Sequence, residues 1–119
     1  MHLHHVTNTK TNQQWDLLAN TVEEAIQIIA RTFIMIQKSD LTAEELTTTE
    51  GYRVTWLRAL PKDTYFWKVN KKSMTTQTVP YVKGNYDRSM QGYECHRFYD
   101  ICDFQTLKGD ILVTTDVTF

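Results

Sequence analysis

Histidines, cysteines and aspartates are the residues of this chain that could bind a metal, attack a carbonyl or move protons. His2, His4 and His5 crowd the start, and Cys95-His96 lies far along the chain. On a strand His2 and His4 point to one side, so a third ligand from a sheet would complete a zinc site. A metal site wants rigid supports, however, and the first residues of a chain are usually frayed. No Cys-x-x-Cys or His-x-x-x-His spacing supports it, so solvated terminal histidines and no metal are expected. A nucleophilic Cys95 with His96 as base fails on geometry, because neighbours on a strand face opposite ways. Cys95 shares a face with Tyr93 and is expected as a small core residue. Asp87, Asp100, Asp103, Asp110 and Asp116 gather in the last third. A nuclease of the restriction-enzyme type needs an acidic residue two positions before a lysine on a strand, and no lysine here has one. Asp87, Asp103 and Asp110 read instead as turn and cap residues that accept from local backbone N–H groups. Carboxylates that pair only in space stay open at this point. The four glycines, at 51, 84, 92 and 109, are too scattered to cradle a phosphate. Neither an enzyme nor a cofactor is expected.

Charge supplies the one usable asymmetry. Residues 62–88 carry Lys62, Lys68, Lys71, Lys72, Lys83 and Arg88 against Asp63 and Asp87, a local net of +4, whereas residues 1–60 have a net of -2. Tyr65, Phe66, Trp67, Tyr81 and Tyr86 are interleaved with these cations. Single-strand binding without sequence preference uses such a pattern on a curved sheet: bases stack on rings and lysines track phosphates. A nucleic-acid surface would then comprise Tyr65, Phe66, Trp67, Lys68, Lys71, Lys72, Tyr81, Lys83, Tyr86 and Arg88, with at least two of the five rings exposed beside the lysines. The plainer account has some rings facing the core and lysines at strand edges deterring aggregation.

The elements that must position these residues follow from periodicity. A helix is expected over residues 21–38: Thr21 caps it, Glu24 completes a capping box, and Val22, Ala25, Ile26, Ile29, Phe33 and Ile36 form one stripe. Ile28, Ile34 and Met35 fall off that stripe, widening the apolar sector to roughly 220°, about twice what seating on one sheet needs. They are the expected interface with a second copy of the chain. Before the helix, residues 14–19 read as a strand, with residues 2–7 able to pair with it as a hairpin. Thr42 to Leu46 reads as a short helical turn. Strands then follow: one through Tyr52, Val54, Trp56 and Leu60; one with Tyr65, Trp67 and Val69 on one face and Phe66 on the other; one from Val79; and one through Tyr93, Cys95 and Arg97, reached by the Asp87–Gly92 turn. The last runs from Ile111 to Phe119, with Phe104 to Leu107 as its hairpin partner across Gly109-Asp110. The fold class is α+β: an N-terminal strand or hairpin and one long helix, packed on a C-terminal antiparallel meander able to curl into a small barrel.

At 119 residues, with 41% hydrophobic and 23% charged, the chain is expected to form one domain, residues 1–119, with no need of a disulfide. A formal net charge of -1 excludes a uniformly basic nucleic-acid binder. Eighteen threonines against three serines suit strands. The longest apolar run, Phe33 to Ile36, is far too short to cross a membrane, and the first residues lack the apolar stretch of a signal peptide. Two cysteines in such a chain suit a reducing cytoplasm. The expectation is a small non-catalytic interaction or accessory module of a prokaryotic or phage cytoplasm. Its partner would be a second copy or another protein, and not a membrane. Single-stranded nucleic acid is the alternative partner, and an uncharacterised small enzyme comes third.

Overall fold

The computed structural model describes residues 1–117, apart from the side chain at 101. The chain divides into two compact units, Met1–Leu46 and Thr47–Phe119.

The first unit opens with β1 (His2–Asn8) and β2 (Gln14–Ala19), an antiparallel hairpin in which Val6 stands opposite Trp15 and His4 opposite Leu17. Asn8 makes its turn: the side-chain oxygen accepts from the Lys10 N–H at 2.9 Å, and Asn12 takes φ 64° beyond it. Helix α1 (Val22–Thr32) starts where its cap predicts, with the Glu24 N–H donating to Thr21 Oγ1 at 3.1 Å. The Glu24 carboxylate reaches back one residue further than a capping box requires, accepting from the Asn20 N–H at 3.4 Å. Ala25 and Ile29 are buried against Val6, Ala19 and Leu41, so the helix sits on the sheet of its own unit.

Two expectations fail in this unit. Helix α1 stops at Thr32 rather than at 38. The residues that would continue it, Phe33 and Ile34, are aromatic and β-branched and lose side-chain freedom in a helix, and Thr32 Oγ1 donates to the Ile28 carbonyl at 2.7 Å as the helix ends. The segment 42–46 is not a helical turn: β3 (Leu41–Glu45) pairs antiparallel with β1 in the sheet order β2-β1-β3. Five residues are too few to nucleate a helix, whereas the open edge of β1 offers every backbone group a partner.

The second unit is one six-stranded antiparallel sheet in the order β4-β9-β5-β6-β7-β8. Its strands are β4 (Thr55–Trp56), β5 (Tyr65–Asn70), β6 (Thr75–Asp87), β7 (Gly92–Arg97), β8 (Asp100–Leu107) and β9 (Leu112–Thr114). Leu57, Phe66, Tyr81, Cys95 and Val113 form its core, and Cys95 is a fully buried small residue there. The β6–β7 hairpin turns on Asp87, whose carboxylate accepts from the Ser89 N–H at 2.9 Å and the Ser89 hydroxyl at 2.7 Å.

Three further expectations are corrected here. The strand expected over 52–60 shrinks to β4, because a 3-10 turn at Leu57–Ala59 buries Leu57 and lets its N–H donate to the Ile111 carbonyl at 3.2 Å. Residues 104–107 do not pair with the last strand: β8 pairs with β7 across the two-residue connection Phe98-Tyr99, and β9 inserts between β4 and β5. Closing the shorter loop is entropically easier, which favours the β7–β8 hairpin. In β5 the expected alternation stands, and Phe66 on one face and Trp67 on the other are both buried, with the pairing to β6 slipping between Trp67 and Val69. The last strand, expected from Ile111 to Phe119, is cut to β9: Thr115 to Val117 are not strand, the Asp116 N–H donating to Thr114 Oγ1 at 3.2 Å, and Thr118 and Phe119 lie outside the described residues.

Candidate functional site

The basic, aromatic stretch does not form one surface. Phe66, Trp67 and Tyr81 are buried, so none can receive a base while the chain is folded. Lys83 is buried too: its ammonium donates to the Leu60 carbonyl and lies 4.1 Å from the centre of the Tyr93 ring. Burial holds this lysine below its usual pKa. Lys68 turns to the same inner face, with Nζ 4.7 Å from the Tyr81 ring centre and 3.4 Å from the Gln105 side-chain oxygen.

The exposed members are spread along the sheet. Lys71 and Lys72 sit in the β5–β6 turn, while Tyr86 and Arg88 sit at the far end of β6. At the usual strand rise of ~3.3 Å per residue these two groups are roughly 35 Å apart. Tyr65, 46% exposed, stands opposite Val82 on β6. Its ring meets Phe98 edge-on at 5.1 Å, and Phe98 meets Tyr99 at 5.0 Å, so its neighbours are aromatic.

Tyr86, 52% exposed, keeps different company. It pairs with Tyr93 across the β6–β7 hairpin, the rings 5.1 Å apart and inclined at 61°. Both line a groove of about 420 Å³ with Arg58, Gln91, Lys108, Gly109 and Asp110. The Arg58 guanidinium lies 4.3 Å from the Trp56 ring centre, and its backbone N–H donates to the Gly109 carbonyl at 2.9 Å. Among the described residues, neither Arg58 nor Lys108 has a carboxylate at ion-pair distance. Sequence reasoning assigned Tyr93 to a core-facing position and passed over Arg58 and Lys108. Asp110 was legible only as a turn residue. No spacing signal links these positions, which lie on four separate segments.

The expected self-association residues part company as well. Ile28 is half-buried and packs on the core of the first unit. Ile34 and Met35, beyond the end of α1, are 91% and 94% exposed. Phe33 between them and the helix is partly held by Trp15, ring centres 5.5 Å apart.

The N-terminal histidines are not solvated as expected, because β1 is the central strand of its sheet. His4 is buried, its Nδ1–H donating to the His2 carbonyl at 3.0 Å and its Nε2 3.9 Å from the Glu45 carboxylate. His5 Nδ1 pairs with Asp16 at 2.6 Å across the β1–β2 hairpin. Among the described residues no three His, Cys, Asp or Glu side chains are grouped to hold a metal ion. The remaining aspartates are engaged too, Asp103 with Arg97 at 3.0 Å and Asp100 with the Cys102 N–H at 2.9 Å nearby in sequence, and Asp116 with the distant Arg53 at 3.1 Å.

No protein-family model, curated protein or solved structure matches this chain.

Proposed function

We propose that this chain is a small non-catalytic interaction or accessory module that associates with a second copy of itself through the end of α1 and the loop that follows. One observation carries the reading: Ile34 and Met35, side by side, are left almost wholly in water. Burying a side chain of that size contributes about 1.5–3 kcal/mol, a gain that association would supply. The exposed face of α1 favours a second copy as the occupant. Glu23, Gln27 and Arg31 are all exposed and four residues apart, so they share one face. A two-fold axis through Gln27 would set Glu23 of each copy against Arg31 of the other, the self-matching arrangement that a symmetric dimer requires. No helix of the described residues is long and apolar enough to cross a membrane, and Cys95 and Cys102 are both unpaired. Both features suit a cytoplasmic protein.

Light scattering from low to high micromolar concentration tests this. A monomer–dimer equilibrium is expected. Ile34→Glu with Met35→Glu should give a folded monomer, because both positions are exposed. Arg31→Glu should weaken association by opposing Glu23, and adding Glu23→Arg should restore it. A wild-type chain that stays monomeric throughout the range overturns the reading.

A further inference from the structure

Independently of self-association, we propose that the groove beside Tyr86 binds a nucleoside 5′-phosphate moiety, with the base stacked on Tyr86 and the phosphate held by Arg58 and Lys108. The groove, about 420 Å³, lies in the usual range for small-ligand sites. Its walls are preorganised. Tyr93 meets Tyr86 edge-on at 5.1 Å and is itself fixed by the Lys83 ammonium, 4.1 Å from its ring centre. Gly109 brings the two walls together: a Cβ there would stand 3.0 Å from Arg58 Cβ and 3.2 Å from Tyr93 Cε2. The Arg58 guanidinium is held over the Trp56 ring, 4.3 Å from its centre, before any ligand arrives.

The chemistry of the lining selects the ligand. Two exposed cations without carboxylate partners among the described residues face a single acidic side chain, Asp110. The buried Lys83 ammonium adds positive charge from beneath. An anion is therefore favoured, and the exposed Tyr86 ring offers a planar group a stacking surface. A ligand needs both a flat ring and a phosphate to use the whole groove. Gln91 and Asp110 then offer an amide and an acceptor to base or ribose edges.

A free nucleotide and one unit of a single strand share this chemistry, and the experiment separates them. The full chain is titrated with adenosine 5′-monophosphate, adenosine, inorganic phosphate and a labelled short oligothymidylate, at low and high salt, following backbone amide resonances. The monophosphate should move the Tyr93, Lys108 and Gly109 signals, with adenosine and inorganic phosphate each roughly tenfold weaker or worse. Tyr86→Ala should weaken binding about tenfold. Lys108→Gln should do so less at high salt, keeping the test open if the tyrosine variant is poorly folded. An oligonucleotide that binds more tightly than the monophosphate, with a steep salt dependence, assigns the moiety to a strand. Equal or weaker oligonucleotide binding assigns it to a free nucleotide. No movement of these signals at millimolar ligand, or binding unchanged in both variants, overturns the proposal. The Ile34→Glu, Met35→Glu variant should titrate as wild type, so this result and the association result are read separately.

Discussion

Burial takes the Lys83 ammonium out of water with a carbonyl and a tyrosine ring as its partners, and places the Cys95 thiol directly across the β6–β7 ladder from it. Lys68 and Tyr81 share that inner face. Desolvation lowers Lys83 from its ordinary 10.5 and raises Cys95 from its ordinary 9.0. The two act oppositely on stability. Unfolded Lys83 holds its proton more tightly than folded, so its penalty fades as pH climbs through the folded value toward 10.5. Folded Cys95 holds its proton more tightly than unfolded, so its contribution is present below 9.0 and is lost above it. Urea melts from about pH 8 upward should therefore show Lys83→Met losing stability more steeply than wild type, and Cys95→Ala gaining it. At neutral pH Lys83→Met should be neutral or stabilising, since an apolar chain replaces a buried charge. Thr55 makes a second residue-scale case: its Oγ1 is buried with no hydrogen-bond partner among the described residues. Thr55→Val keeps the shape and removes the unmet group, so thermal melts should show a gain of about 1 kcal/mol.

Among the elements, the long β6–β7 hairpin is the most closely fitted. Its register slips between Lys83 and Tyr86, and Gly84 lies within that slip. A Cβ at Gly84 would collide with the Glu94 backbone carbonyl, which cannot swing aside as a side chain tip could. Gly84→Ala should therefore cost about 2–3 kcal/mol in denaturant melts. Hydrogen exchange should show faster opening of β6 and β7. The start of α1 was readable from Thr21 and Glu24 because capping involves residues three apart. Its end, and the identity of β3, were not. Ala43, Glu44 and Glu45 favour helix locally, and only the unpaired edge of β1 makes them a strand.

For the whole molecule, each unit carries its own core, Val6 to Leu41 in one and Leu57 to Val113 in the other. Met1–Leu46 holds three basic and six acidic side chains, a net of -3, and Thr47–Phe119 ten basic and eight acidic, a net of +2. A unit as short as the first is close to the size, about 40 residues, below which a core rarely suffices alone. The expectation of one domain over residues 1–119 accordingly predicts a single calorimetric transition with matching calorimetric and van't Hoff enthalpies. Two resolved transitions would make the units separate domains. The Ile34→Glu, Met35→Glu variant should shift that transition only by what association contributes, leaving its shape concentration-independent.

The sequence by itself determined what neighbours decide: the N-terminal hairpin, the cap of α1, the Asp87–Gly92 turn, the antiparallel α+β class and Cys95 as core. These rest on side-chain alternation and on hydrogen bonds a few residues long. Only the tertiary structure decided that β9 inserts between β4 and β5, that β1 is central and so buries His4, and that three of the five interleaved rings face inward. Burial is a property of whole sheets, and two aromatic residues of equal hydrophobicity differ only in what lies across from them. The groove shows this most plainly. Arg58, Tyr86, Tyr93 and Lys108 come from four segments, and their meeting depends on the insertion of β9 and the close approach that Gly109 permits.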